Sequence, residues 1–235
     1  MSYRVLAYHA VGRYDRPLPS GIGTAPEDFE DQLDHLIASG FQVVELSHIA
    51  RALAEGRAPG PREVAITFDD GYADCLRYAV PELAKRALPA TFFISAGLLG
   101  AKMEDNGLEM LARSNVTELS RVPGLTIAAH GHMHRSLPGL SPHALAAELT
   151  DSKHLLEDLS GRAVAWLSYP FGAYDPRVQD AARSAGYTDA FSVWTRDEGP
   201  FARLRIPLHT RDRTGPLFRF KLSRFYFPVK RLVKR

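Results

Sequence analysis

Apolar runs of five or six residues recur along this chain, each followed by a polar cluster and then by a helix-like segment. "RVLAYH" is the first, "FQVVEL", "EVAITF", "ATFFIS", "LTIAA" and "AVAWLS" follow, and "DAFSV" and "LRIPL" close the series. Runs this short, bounded by turn residues, read as strands, and strands alternating with helices predict a parallel sheet flanked by helices. The expected fold class is α/β. A chain of 235 residues accommodates it as one unit, because α/β barrels routinely reach this size.

The intervening helices carry their own signals. "TAPEDFEDQLDHLIASG" is predicted helical, with Thr24 and Glu27 spaced as a capping box and Gly40 as the stop. "SHIARALAEG" follows, and "DCLRYAVPELAKRA" is a third helix with a kink or break expected at Pro81. Ser141 and Pro142 open a helix as N-cap and first residue, running to about Leu159 before Gly161. Asp175 and Pro176 open another that ends at Gly186. Between about 90 and 125 the pattern weakens, and "AGLLGAKMEDNGLEML" fits either a helix or a loop insertion.

The unusual polar groups fall in one kind of place. His9, the pair Asp69–Asp70, the cluster His130–His134 and "YPFG" each come directly after an apolar run. In a parallel barrel the C-terminal strand ends open onto one face, where active sites sit. Four segments would therefore deliver side chains to one cleft.

His130 and His134 lie four apart, so a tight turn can aim both imidazoles at one point. Two imidazoles and a carboxylate with an open position form a familiar hydrolytic zinc site, and Asp70 is the natural third ligand. Strand alternation then points Asp69 elsewhere, free to act as a base beside the cation. The blander account of these histidines is a solvated loop. His132 reads as a supporting or solvent-facing residue rather than a ligand.

Composition narrows the rest. The one cysteine, Cys75, excludes an internal disulfide and reads as a small core residue. "MSYRVLAYHAVGRYDRP" lacks the marks of an export signal, and no run approaches the ~18 apolar residues of a spanning helix, so a cytoplasmic location is expected. Net charge is +2, yet residues 217–235 carry seven Lys or Arg, five aromatics and no acid. We divide the chain into a catalytic barrel, 1–216, and a basic aromatic tail, 217–235. The tail is expected to pack its Phe residues on the domain with a basic face in water; peripheral contact with an anionic membrane is the alternative. Nucleic acid is not an expected partner, because the body is acidic and no recognition motif is present.

"TFDDG", "HGHMH" and "YPFG", in this order and spacing, resemble the motifs of the NodB-homology polysaccharide deacetylases over about residues 3–210. The resemblance implies a distorted (β/α) barrel of about seven parallel strands. It implies that Asp69 is the base that deprotonates the attacking water. Asp70, His130 and His134 would hold one divalent metal, most simply zinc, with cobalt, nickel or iron accepted by the same ligands. The backbone N–H of Phe171 would serve the oxyanion hole, with Tyr169 and Pro170 of the same motif as substrate contacts; Trp194, near the end of the "DAFSVW" run, reads either as core or as a further substrate contact.

Two departures stand out. The arginine that orients the base in that family is replaced at its usual place by Ser168–Tyr169, and either Arg203 or Arg205 is offered as a substitute. Gly131 stands where the family has Ser or Thr. The general acid implied by the resemblance is His9, similar to the early Tyr-His segment of biofilm poly-N-acetylglucosamine deacetylases, with His209 in "IPLHT" as the alternative. His9 also reads as a buried structural histidine, and Trp166 as core.

The expected function is metal-dependent hydrolysis of an N-acyl group, most simply acetyl, from an N-acetylated amino sugar in a glycan or glycan precursor. An amidase or imidase acting on a small molecule, and a non-catalytic glycan-binding domain, stay open as alternatives. The sequence leaves the oligomeric state open.

Overall fold

In a computed structural model, residues 3–194 and 199–233 are described. Strand β1 (Val5–Tyr8) leads into a short parallel pair, β2 (Ala10–Val11) with β3 (Gly23–Thr24), and then α1 (Pro26–Ala38). β4 (Gln42–Val43), α2 (Leu46–Ala54), β5 (Glu63–Phe68), α3 (Asp74–Lys85) and β6 (Ala90–Ile94) follow. The middle of the chain supplies α4 (Arg113–Arg121), β7 (Leu125–Ala129), α5 (Pro142–Ser160), β8 (Trp166–Ser168) and α6 (Pro176–Ser184). The last elements are β9 (Asp189–Ser192), β10 (Arg203–Leu204), β11 (Ile206–Pro207), α7 (Pro216–Leu222) and α8 (Tyr226–Val233).

The sheet runs in the order β10-β9-β8-β7-β6-β5-β1-β11, with β4 beside β5, and every pairing is parallel. Its two edge strands are consecutive in the chain. Arg203 and Leu204 pair with Phe191 and Ser192, while Ile206 and Pro207 pair with Leu6 and Ala7, and only Arg205 lies between them. One segment, 203–207, therefore binds β9 on one side and β1 on the other and closes the sheet. Counted this way the barrel has the expected seven staves: β1, β5, β6, β7, β8, β9 and the β10–β11 segment.

Strand alternation sorts the side chains into two layers. Leu6, Val64, Ile66, Phe68, Phe92, Ile94, Ile127 and Leu167 pack outward in one large cluster with Phe29, Leu33 and Leu36 of α1 and Leu145, Leu149 and Leu156 of α5. The opposite parity, Val5, Ala65, Phe93, Ala128 and Phe191, fills the interior with Leu46 and Ile49 of α2. That inner row mixes Val5, Ala65 and Ala128 with two rings, Phe93 and Phe191. Continued upward, it ends in His9, Asp69, His130 and Ser168, so the pleat itself aims these side chains into the mouth of the barrel.

Several helix boundaries follow the sequence signals and two expectations need correcting. Ser141 accepts a hydrogen bond from the Ala144 N–H, Asp175 accepts one from Val178, and Gly161 closes α5 in a left-handed conformation. The Thr24–Glu27 capping box does not form. Thr24 is held in β3, Ala25 is the N-cap, and Glu27 instead pairs with Arg13. Pro81 neither ends nor divides α3, which runs unbroken from Asp74 to Lys85. The ambiguous stretch after β6 is a loop with one 3-10 turn, Ala96–Leu98, tied to the barrel mouth by a Tyr72–Met110 bridge.

Candidate active site

Asp69 extends β5 by one residue: its N–H donates to the Tyr8 carbonyl at 2.9 Å, so it sits beside His9 at the end of β1. Asp70 then takes φ 71° and Gly71 φ 92°. A left-handed aspartate costs of order 1 kcal/mol or more, and such strain recurs at functional positions. The reversal turns Asp70 back toward the mouth from a parity that would otherwise face outward. Both carboxylates therefore reach the same space, through the turn rather than through alternation alone. Both are buried.

Asp70 Oδ1 stands 3.1 Å from Nε2 of His130 and 3.2 Å from Nε2 of His134. His130 Nδ1 lies 2.8 Å from the Ser168 carbonyl, which only accepts, so that nitrogen carries the proton and Nε2 of the neutral ring presents a lone pair. Asp70 Oδ1 is itself buried without a well-directed hydrogen bond. Three atoms able to coordinate a cation, one from each of these residues, converge within 4.8 Å of one another. That donor set, two imidazole nitrogens and a carboxylate oxygen, fits a divalent cation.

The electrostatics agree. Burial alone would raise the pKa of Asp70, but the His130 and His134 imidazoles facing it and the nearby His9 bring it well below the ordinary value. Burial disfavours the His130 imidazolium, yet Asp69 and Asp70 outweigh burial and raise its pKa. The site attracts positive charge.

The loop from His130 to His134 is held from behind. Gly131 and His134 both have positive φ, 72° and 53°. Glu148 of α5, buried, accepts the N–H groups of His132 and Met133, each at 2.8 Å, through one oxygen. A Cβ on Gly131 would lie 3.3 Å from that oxygen, a tight approach in a backbone conformation that already favours glycine. Glu148 carries no sequence signal beyond its place on a predicted helix. His132 lies behind the ligand loop, its Nδ1 buried and its backbone N–H given to Glu148.

The missing motif arginine is replaced by Arg205. Its two terminal nitrogens bond the two oxygens of Asp69 at 2.7 and 2.6 Å, a bidentate pair buried on both sides. Arg205 also donates to Thr67 Oγ1 and Ser168 Oγ and lies over the Phe93 ring, 5.0 Å from its centroid. Ser168 Oγ–H donates a hydrogen bond to Asp69 Oδ2 at 3.3 Å. Burial tends to raise the Asp69 pKa, and Arg205 with His130 and His9 overcomes it, so the pKa falls below the ordinary value. Arg203, the other candidate, pairs with Asp189 instead.

The remaining residues divide. Phe171 sits at φ 58° with its ring exposed, 4.7 Å from the His134 ring, so the turn that carries its N–H borders the ligand loop. Trp194 borders the same turn: a Cβ on Gly172 would lie 3.2 Å from its ring. Tyr169 is a correction. It is buried, stacks on Tyr174, and gives its hydroxyl to the Phe201 carbonyl, so its side chain is packing rather than a wall of the cleft. Pro170 is also buried. Cys75 is core, donating to the His9 carbonyl, and Trp166 packs on the inner cluster.

His9 and His209 end neighbouring staves. His9 is close enough to lower the pKa of both aspartates, and its Nδ1 is buried without a partner. His209 gives its backbone N–H to Asp212, and burial followed by the Lys221 charge lowers its pKa. The charge of His9, rather than that of His209, bears on both carboxylates.

Residues 56–190, more than half of the chain, match the family model for polysaccharide deacetylase. The chain belongs to this family. It is accordingly a hydrolase of amide C–N bonds with an α/β barrel, and members of the family are metal-dependent. YxkH of Bacillus subtilis, assigned by name to the same family, is 28% identical over 206 residues, covering 86% of this chain and 70% of that one. The poly-beta-1,6-N-acetyl-D-glucosamine N-deacetylase of Staphylococcus aureus is 25% identical over 173 residues, 70% of this chain, which spans 59% of that protein's length. Among solved structures, IcaB from Ammonifex degensii superposes with a TM-score of 0.80 at 25% identity, covering 94% of this chain and 97% of that one. The Streptococcus pyogenes deacetylase PplD shares the fold at a TM-score of 0.79 and 23% identity, with the same two coverages, 94% and 97%.

Proposed function

We propose that this deacetylase uses one divalent cation to remove an N-acyl group, most simply acetyl, from an amino-sugar residue of a glycan or glycan precursor. The observation that carries the reading is the cluster of Asp70, His130 and His134 beside a second carboxylate, Asp69, that an arginine keeps ionised. Two nitrogens and one oxygen suit zinc best, and cobalt, nickel and iron accept the same set. When bound, the cation supplies electrophilic polarisation of the amide carbonyl and lowers the pKa of the attacking water.

The protein's own groups do the rest. Asp69 accepts the proton of the attacking water, and Arg205 and Ser168 hold its oxygens in place while it does so. The Phe171 N–H donates to the carbonyl oxygen as it becomes negative, a contact typically worth ~3 kcal/mol in the transition state. His9 gives a proton to the departing nitrogen as the C–N bond breaks, leaving a carboxylic acid and a free amine. Trp194 borders the acyl side of the cleft. Similarity to a named poly-N-acetylglucosamine deacetylase supports β-1,6-linked N-acetylglucosamine as the first substrate class to try.

Acetate release from β-1,6- and β-1,4-linked N-acetylglucosamine oligomers tests the reading. Release from one series, abolished by a chelator and restored by zinc or cobalt, is expected. Release that ignores the chelator, or none from either series by metal-loaded protein, would contradict it.

A further inference from the structure

The face of the barrel opposite the cleft carries a second cluster that catalysis does not use. Arg4 stands just before β1, Phe41 just before β4, and Pro61 and Arg62 just before β5, so together they mark the N-terminal strand ends. With His35 of α1 and Arg219, Leu222 and Ser223 at α7, they line a cavity of about 570 Å³. Three guanidinium groups share this cavity and no carboxylate lines it. Arg4 is nearly buried, with Nη1 bonded to the Pro61 carbonyl at 2.8 Å and Nε to the Leu222 carbonyl. Arg4 and Arg62 both lie over the Phe41 ring. Burial, and then the like charge of Arg62, lowers the Arg4 pKa.

The two helices that complete this face are themselves unusual. Phe218 and Leu222 anchor α7 in the core, while Leu217, Phe220, Phe225 and Val229 remain 39%, 37%, 55% and 40% exposed. These apolar side chains interleave with Arg219 and Arg224 in a segment that has seven basic residues and no acidic one. A polyanion in water would neutralise the charge and leave the Phe residues wet. An anionic lipid surface satisfies both, since basic residues meet headgroup phosphates while aromatic side chains enter the interface.

We propose that this face docks on an anionic phospholipid surface, with a headgroup phosphate between Arg62 and Arg219 and with Phe220 and Phe225 in the headgroup layer. The cleft, at the other end of the strands, then faces away from the lipid and toward glycan extending from or near the surface. The inference stands apart from the hydrolytic reading.

Vesicle flotation with the full chain tests it, using phosphatidylcholine alone and phosphatidylcholine mixed with phosphatidylglycerol. Binding to the mixed vesicles only, weakened by salt, is expected. Arg62→Gln with Arg219→Gln should weaken it about 30-fold, for two surface charges removed. Phe220→Ser with Phe225→Ser should weaken it as well, and circular dichroism should show all variants folded. Binding that is the same for both vesicle types would overturn the proposal. So would equal binding of a single-stranded oligonucleotide that the two serine substitutions do not change. Competition by free inorganic phosphate together with undiminished vesicle binding of the serine variant would also overturn it, leaving a phosphate pocket without a lipid face.

Discussion

A single backbone dihedral separates the surroundings of two adjacent carboxylates: φ is 71° at Asp70, while Asp69 continues the strand. Asp69 faces an arginine and Asp70 faces two histidines, so their mutual repulsion is answered from opposite sides. Removing Arg205 would leave Asp69 as a buried charge without its partner, and Arg205→Gln is expected to cost about 3–5 kcal/mol of stability in urea unfolding. Asp69→Asn with Arg205→Gln should cost less than the two single changes summed, which a double-mutant cycle measures. Arg205 was legible in the sequence only as one of two arginines near the last strand. Its partner lies 136 residues away, and nothing local says which of Arg203 and Arg205 reaches it. The pleat cannot decide it, because residues two apart share a face; Arg203 is engaged by Asp189, while Arg205, the residue between the two pairings that close the barrel, reaches Asp69. His209 gives a pH signature. Its folded pKa is lowered from the ordinary 6.5, so the unfolded chain binds the proton more readily and stability falls as pH drops through that value. His209→Gln should remove part of the loss in thermal midpoint seen between about pH 7.5 and pH 5.5 in the parent protein; an unchanged slope would contradict this.

Each element near the site carries a task that its sequence states only in part. The strands were readable from their apolar runs, and α5 and α6 from Ser141–Pro142 and Asp175–Pro176, because those signals are local. The Thr24–Glu27 box failed because Thr24 was already engaged in a strand pair, a tertiary contact that outranks a capping pattern. Glu148 was invisible for a related reason: a glutamate on a helix is ordinary until the loop that needs it arrives. Two N–H groups of the ligand loop rest on that one carboxylate. Glu148→Gln should therefore weaken zinc or cobalt binding about 10- to 100-fold by titration calorimetry while leaving the helical circular dichroism intact. An unchanged affinity would show that the loop holds its shape without it.

At the scale of the molecule, the barrel gathers residues from five distant stretches, and small residues lie below several of them. Ala65, Thr67 and Ala128 leave space that Asp69, His130 and Arg205 occupy at the top. The tail is not an appendage in energetic terms. Phe218 is fully buried against the main cluster, and Lys221 is buried between the Pro207 carbonyl and Asp212, so α7 fastens to the stave that closes the barrel. Phe218→Ala should destabilise the whole domain by about 3–5 kcal/mol in a single unfolding transition; a second, separate transition would mean that the tail unfolds independently.

The most direct measurement pairs metal content with acetate release in Asp69→Asn. Asparagine keeps the shape of the side chain and removes its charge, while Asp70, His130 and His134 stay in place. The expected result is one divalent ion per chain, as in the parent protein, with acetate release from N-acetylglucosamine oligomers lost by a factor of about 100 or more. Undiminished release by the metal-loaded variant would contradict the separation of roles between the two aspartates on which the account rests.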